Sequence, residues 1–569
     1  MSVQRHQTAR SRYTGLLSLA GALGVITLLA VSIGYFSCEL HKILYREHVP
    51  VFDSMAYTNT LALIMQTSHN QGLLDALSLA LHKTTVFLPW LIAAVIGKFI
   101  PASRFIGIWI QTGILTLFLY SLFYYFYRVR NLSCSLSVML LLPFVGFSGL
   151  YASHGGLSDF RMDLSLFLWF SISVTWYLIA SRTDRLFDYC IFGMSCGLAC
   201  LNRATAPVYL GISLLPPIIW EMFRSKKRSR MLKHLCCAGA SALIMCGWFY
   251  AVRFQHLHRY YFIWNVDSTA CLPLAAASRH FFFAFRFLGK PLLILMLFWN
   301  IVLLPYFFST PEKLWYYVSH VDVKVLYIGL APAAFLMITG AGLNPYVAMP
   351  SAFGILLFLC LPCTVMFTKE DFLLFKQQFF MASVGILIFV MAQGLISHAN
   401  APVGSMKALR QIVDVMKADA RSRKDAEISY STTYVKWGVN ASIRNILLYE
   451  YQGQYRAKDV VVDEFSFSSP VKRLNTGSPA RWKSVSGESD MEKMNTLLLD
   501  ANAQLDYIIL PTQETARHLE NAMKHVKINE FATELRKQFL ASGNWIPISG
   551  VITVDQDEQV MVYQNQGKG

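Results

Sequence analysis

The sequence predicts a polytopic α-helical membrane protein that carries a C-terminal soluble α/β domain. Three observations predict it. Of the 569 residues, 54% are hydrophobic and only 15% charged, against about 25% charged in soluble globular proteins. The apolar residues gather into runs close to the roughly 20 that a spanning helix needs. The charge is also unevenly divided: residues 401–569 hold 21 basic and 20 acidic side chains, while residues 1–400 hold 29 and 14. The balanced stretch reads as soluble, and the charge-poor basic stretch as spans joined by basic cytoplasmic loops. A soluble enzyme, a disordered tail and a disulfide-stapled module are excluded. The net charge of +16 is spread along loops rather than collected on one water-facing surface, so it does not indicate nucleic acid.

The apolar runs predict eleven spans, at about 15–36, 105–127, 133–152, 164–181, 187–201, 205–222, 235–252, 291–309, 324–341, 345–367 and 377–397. The run 84–100 is apolar too, but Pro89, Lys98 and Pro101 suit a broken interfacial or re-entrant helix. Basic clusters at Arg5/Arg10/Arg12, Arg128/Arg130, Arg182/Arg185 and Arg224–Lys233 are then all cytoplasmic. The N-terminus is inside, and the loops 37–104, 153–163, 202–204 and 253–290 are outside. Residues 1–397 form the membrane domain, with 37–104 as a long first outside loop. Residues 398–569 form an α/β domain on the same outer side, periplasmic if the membrane is a bacterial inner membrane.

In that C-terminal part, helical patterns at about 404–420, 440–452, 488–503, 513–526 and 529–541 alternate with β-rich runs at 428–433, 460–467, 507–510, 546–554 and 560–563. Alternation of this kind suggests a small α/β sandwich. No Gly-rich phosphate loop and no metal-ligand spacing interrupts it.

The outside loops hold the candidate chemistry. Asp53 follows the first span; a lone carboxylate beside lipid suits a general base, though a helix N-cap is the other reading. Asp159, Arg161 and Asp163 put three charges into five residues at the entrance of a span, more than capping needs; Asp159 and Asp163 are candidate catalytic carboxylates, and Arg161 a candidate ligand of a donor phosphate. Lys83, Arg203 and Arg259 are cations near the same membrane face and suit a phosphate of a lipid-linked substrate; snorkelling to lipid headgroups is the alternative for each. His256, His258 and His280 match no common zinc spacing. No metal or cofactor is expected.

The stretches Phe52-Asp-Ser-Met-Ala-Tyr57, His82-Lys-Thr with Pro89-Trp90, Asp159-Phe-Arg-Met-Asp163, Gly193 to Arg203 and Arg259-Tyr-Tyr-Phe-Ile-Trp264 resemble the type-C glycosyltransferases. The closest likeness is to the polyprenyl-phosphate-sugar enzymes related to lipid A aminoarabinose transferase and protein O-mannosyltransferase. The resemblance covers about residues 10–300. It implies that Asp53 and Asp163 are the carboxylates of the first and second outer loops, that Lys83 contacts the donor phosphate, and that Arg203 is the basic residue between spans. It implies inverting transfer of a sugar from a polyprenyl phosphate to a lipid, glycan or protein hydroxyl. Two positions depart from the pattern: Ser54 stands where the family has Glu, and His82 where an acidic residue is common. The rival class is a transporter or lipid flippase. The sequence shows neither the matched repeats of such proteins nor their mid-span charges.

Overall fold

A computed structural model describes residues 2–47, 52–83, 86–153, 155–259, 278–310, 323–339, 348–367, 373–399 and 406–423. Beyond these it describes 427–428, 430–432, 443, 446–447, 456–457, 505–515, 537, 540–555 and 558–566. The membrane part comprises α1 (Ser2–Glu47), α2 (Phe52–Asn70), α3 (Leu73–Lys83), α4 (Leu88–Gly97), α5 (Ile106–Tyr124), α6 (Cys134–Met139), α7 (Met162–Thr183) and α8 (Leu186–Asn202). It continues with α9 (Ala206–Arg224), α10 (Arg228–Val252), α11 (Phe254–Arg259), α12 (Arg279–Leu288), α13 (Lys290–Phe308), α14 (Val323–Thr339), α15 (Met349–Phe367) and α16 (Leu373–Ala399).

Among the described residues, six helices are long and apolar enough to cross a membrane, or seven if α12 and α13, bent by 87° at Gly289, count as one. The chain is an integral membrane protein. Helices α8, α14 and α15 are apolar but shorter, and they coincide with expected spans. The run 133–152 departs from expectation. Ser133 caps α6 by accepting from the Leu136 N–H, and the helix stops at Met139. Two 3-10 turns, Leu142–Phe144 and Ser148–Tyr151, come next. Pro143 lacks the N–H that would continue the ladder, and Gly146 and Gly149 lower the helical tendency of the residues after it. Apolar composition alone had concealed this break.

The segment expected to form the first outside loop is largely helical among the described residues. At 46 residues, α1 would run about 69 Å, more than twice the ~30 Å hydrocarbon core. Helix α4 has 10 residues, about 15 Å, and cannot cross on its own; Pro89 starts it and Pro101 lies just past its end. It therefore fits the interfacial reading.

At the centre stands α7. No Gly or Pro falls within it, and 89% of its apolar window is buried, against 11% for α10, so α10 faces lipid and α7 the protein. The tight approach of α8 and α10 depends on Gly193, where an added Cβ would come within 2.0 Å of the Ala238 carbonyl oxygen; small residues are what let spans pack this closely. Arg203 lies near Asp163 at one end of the bundle, and Arg230 near Asp184 at the other. Gln111 donates to the Arg161 carbonyl near the starts of α5 and α7, and Trp176 donates to Ser121 at 3.1 Å near their ends, so the two helices run side by side in the same direction. The loops bearing Arg128/Arg130, Arg182/Arg185 and Arg224–Lys233 consequently share the end away from Asp163.

In the C-terminal part, α17 (Met406–Ser422) buries Met406, Leu409, Ile412, Val413, Met416 and Ala420, one face at helical spacing. The strands are β1 (Glu427–Ile428), β2 (Tyr430–Thr432), β3 (Arg456–Ala457), β4 (Tyr507–Pro511), β5 (Trp545–Pro547), β6 (Ile552–Asp555) and β7 (Glu558–Asn565). The main sheet runs β2-β4-β7-β5, with β6 also on β7. Strands β2 and β4 are parallel, and β4 and β7 antiparallel with Ile509 opposite Val562. Helix and sheet thus pair as an α/β layer. Leu44 of α1 is buried in the same apolar cluster. The expected strand 460–467 lies outside the described residues, as do most of the expected helices at 440–452, 488–503, 513–526 and 529–541.

Candidate active site

Helix α7 begins at Met162, so Asp163 lies in its first turn, where the helix dipole favours a carboxylate. Helix α8 ends at Asn202, and Arg203 leaves it in an extended conformation before Pro207 helps to start α9. That short turn aims the guanidinium back at α7. Arg203 Nη2 lies 3.1 Å from Asp163 Oδ1, and Arg203 Nη1 donates to the Tyr57 hydroxyl at 2.8 Å. Side-chain exposure is 18% for Arg203 and 8% for Asp163, so bulk water does little to screen the pair. Tyr57 belongs to α2, one turn after Asp53. Arg203 therefore ties together α2, the start of α7 and the α8–α9 turn.

The segment before α7 is locked from all sides. Asp159 accepts from the Gly155 N–H at 2.6 Å and lies 2.9 Å from Arg161 Nε. Phe160 adopts a left-handed conformation, φ 40°, which is costly for a non-glycine residue. Its ring rests on Gly107, where an added Cβ would meet it at 2.5 Å, and stands edge-on to Trp90 at 6.3 Å. Gln111 donates to the Arg161 carbonyl at 2.7 Å. His41 donates from Nδ1 to the Ser158 carbonyl at 2.8 Å. His398 donates from Nδ1 to the Gly394 carbonyl at 2.7 Å, and its Nε2 shares a hydrogen bond of 2.7 Å with the Ser158 hydroxyl.

Of the candidate residues, Asp163 and Arg203 meet each other, while Asp159 and Arg161 also pair, with side chains 0% and 4% exposed. The side chains of Asp53, Lys83 and Arg259 lie outside the described residues; their backbones fall in the first turn of α2, at the last position of α3 and at the last position of α11. Four residues after Lys83, the Phe87 N–H bonds the Leu201 carbonyl at 2.9 Å, two residues before Arg203. Among the described residues no three His, Cys, Asp or Glu side chains gather as a metal site requires.

Sequence reasoning missed Tyr57, whose one signal was its position a turn after Asp53. It also missed Asn202, which is fully buried with neither amide atom hydrogen-bonded among the described residues; adjacency to Arg203 was the available hint. His41 stood out only as one ionisable group of the expected first outside loop, and Ser158 and His398 gave no sequence signal, since the contacts among the three span 117 and 240 residues.

No protein-family model matches the chain, and no curated protein matches it in sequence. Solved structures do. The crystal structure of ArnT from Cupriavidus metallidurans bound to undecaprenyl phosphate superposes with a TM-score of 0.53 and 11% identity, covering 95% of this chain and 98% of that one. The apo structure of the same protein gives 0.55 and 11%, covering 97% and 99%. At this identity the likeness establishes the fold, over essentially the full length of both chains.

Proposed function

We propose that this chain, whose fold is the type-C glycosyltransferase fold of ArnT, is a membrane glycosyltransferase that moves a sugar from a polyprenyl-phosphate donor to an acceptor hydroxyl. The observation that carries the reading is the Asp163–Arg203–Tyr57 bridge, which gathers charged loop residues at one end of an apolar bundle beside the start of α2. The undecaprenyl phosphate in the ArnT structure supports a lipid-phosphate donor. In this reading the N-terminus is cytoplasmic, and the site and the C-terminal domain lie on the opposite side.

The chemistry is a single displacement. The acceptor oxygen attacks the anomeric carbon, and the bond from that carbon to the phosphate oxygen breaks with inversion. The bonding pair leaves with the polyprenyl phosphate, and the acceptor proton passes to Asp53. The departing phosphate is a stable anion, so it needs cations rather than an acid. Arg203, Lys83 and Arg259 supply them, and Asp163 holds Arg203 in place. Asp159 and Arg161, which the sequence offered as a carboxylate for catalysis and a phosphate ligand, are proposed instead to brace the segment entering α7, because each charge is already met by the other.

The test is Asp53→Asn in reconstituted membranes supplied with undecaprenyl-phosphate sugars. Loss of the base should slow transfer by roughly 10²–10⁴-fold while folding is retained. Turnover near wild type would overturn the assignment.

A further inference from the structure

At the end of the bundle away from Asp163, two clefts flank the α9–α10 turn. One, of about 510 Å³, lies between Asp184, Trp220, Glu221, Arg224, Lys227 and Lys324. The other, of about 920 Å³, is lined by the basic side chains of Lys226, Lys227, Arg228 and Lys233 together with the apolar Leu186 and Leu232. The acidic groups here are already matched. Glu221 accepts from Lys324 and from Tyr177, and Asp184 is met by Arg230 at 3.3 Å and His234 at 3.4 Å. Arg224, Lys226, Lys227, Arg228 and Lys233 make no ion pair among the described residues. Trp220, Phe223 and Phe187 are 55%, 64% and 71% exposed beside them.

We infer that this elbow is a binding site for an anionic phospholipid of the adjoining leaflet, with the phosphodiester on Lys226, Lys227 and Lys233 and the acyl chains along Leu186 and Leu232. The geometry favours a lipid over a free anion. A cleft that joins several cations to apolar side chains matches a molecule that is itself charged at one end and apolar at the other, and the exposed aromatic side chains set its depth at the membrane interface. The site is separated from the Asp163–Arg203 pair by the length of α7, whose 22 residues span about 33 Å, so it does not depend on the proposed reaction. Basic residues near a membrane surface attract anionic lipid at roughly fivefold in affinity each.

The full chain, delipidated and exposed to equimolar phosphatidylglycerol and phosphatidylcholine in mixed micelles, is examined by native mass spectrometry. Retention of phosphatidylglycerol over phosphatidylcholine is expected. The triple variant Lys226→Gln, Lys227→Gln, Lys233→Gln should lower that preference on the order of 100-fold, and the corresponding Lys→Arg triple should restore it. Arg128→Gln with Lys376→Gln removes charge from the same end of the bundle but outside the clefts, and should leave the preference intact. Equal retention of the two lipids, an unchanged triple variant, or an equal loss in the Arg128/Lys376 pair would overturn the proposal. Displacement of the lipid by millimolar inorganic phosphate would also overturn it, by reducing the site to a bare anion site.

Discussion

The two ends of α7 both carry an aspartate paired with an arginine, and they are not equivalent. At the start of the helix, Asp163 and Arg203 are 8% and 18% exposed; at its end, Asp184 and Arg230 are 38% and 55% exposed. Water reaches the second pair, so its attraction is weak and easily replaced. The first pair is shielded, so removing one partner strands a charge among apolar neighbours. The same two residue types therefore serve fixed geometry at one end and a tolerant, solvated surface at the other. A charge at a span entrance thus says little until its burial is known.

Four substitutions test the contrast between the two ends of α7. Arg203→Ala should destabilise the protein by about 3–5 kcal/mol by leaving Asp163 buried and unpaired, and should abolish transfer; thermal unfolding in detergent and a turnover assay measure the two effects. A silent Arg203→Ala would erase the distinction between the ends. Gly107→Val should cost about 1–3 kcal/mol, because the new side chain meets the Phe160 ring, and should loosen the segment 155–161 in hydrogen exchange. Tyr57→Phe removes one hydrogen bond to a charged group, worth about 1.5–3 kcal/mol, and should lower the melting temperature measurably as well as kcat/KM by roughly tenfold. Arg230→Ala should change stability by less than about 1 kcal/mol and leave transfer unchanged; a large loss there would show that the exposed end is as constrained as the buried one.

Much of the architecture was legible because a membrane span announces itself by composition. Asp163 and Arg203 were legible for the same reason, as charges standing at the edges of apolar runs. The break at 139–152 was not, since Pro143 and the neighbouring glycines sit in a stretch whose hydropathy resembles that of its helical neighbours. Which carboxylate meets which cation was not legible either. Asp159 and Arg161 look like two site residues in sequence, yet they pair with each other, because the left-handed turn at Phe160 folds the chain back between them. Tyr57 reaches Arg203 across 146 residues, a separation at which local pattern carries no information.

Leu44 lies in the apolar core of the C-terminal domain, three residues beyond His41, which holds Ser158. The domain is therefore moored twice, once through the backbone leaving α16 and once to the mast formed by α1. Proteolytic cleavage between Ala399 and Met406 should cut only the first mooring. The severed domain would keep its contact with Leu44, on the same helix as the His41 that bonds Ser158 ahead of Asp163.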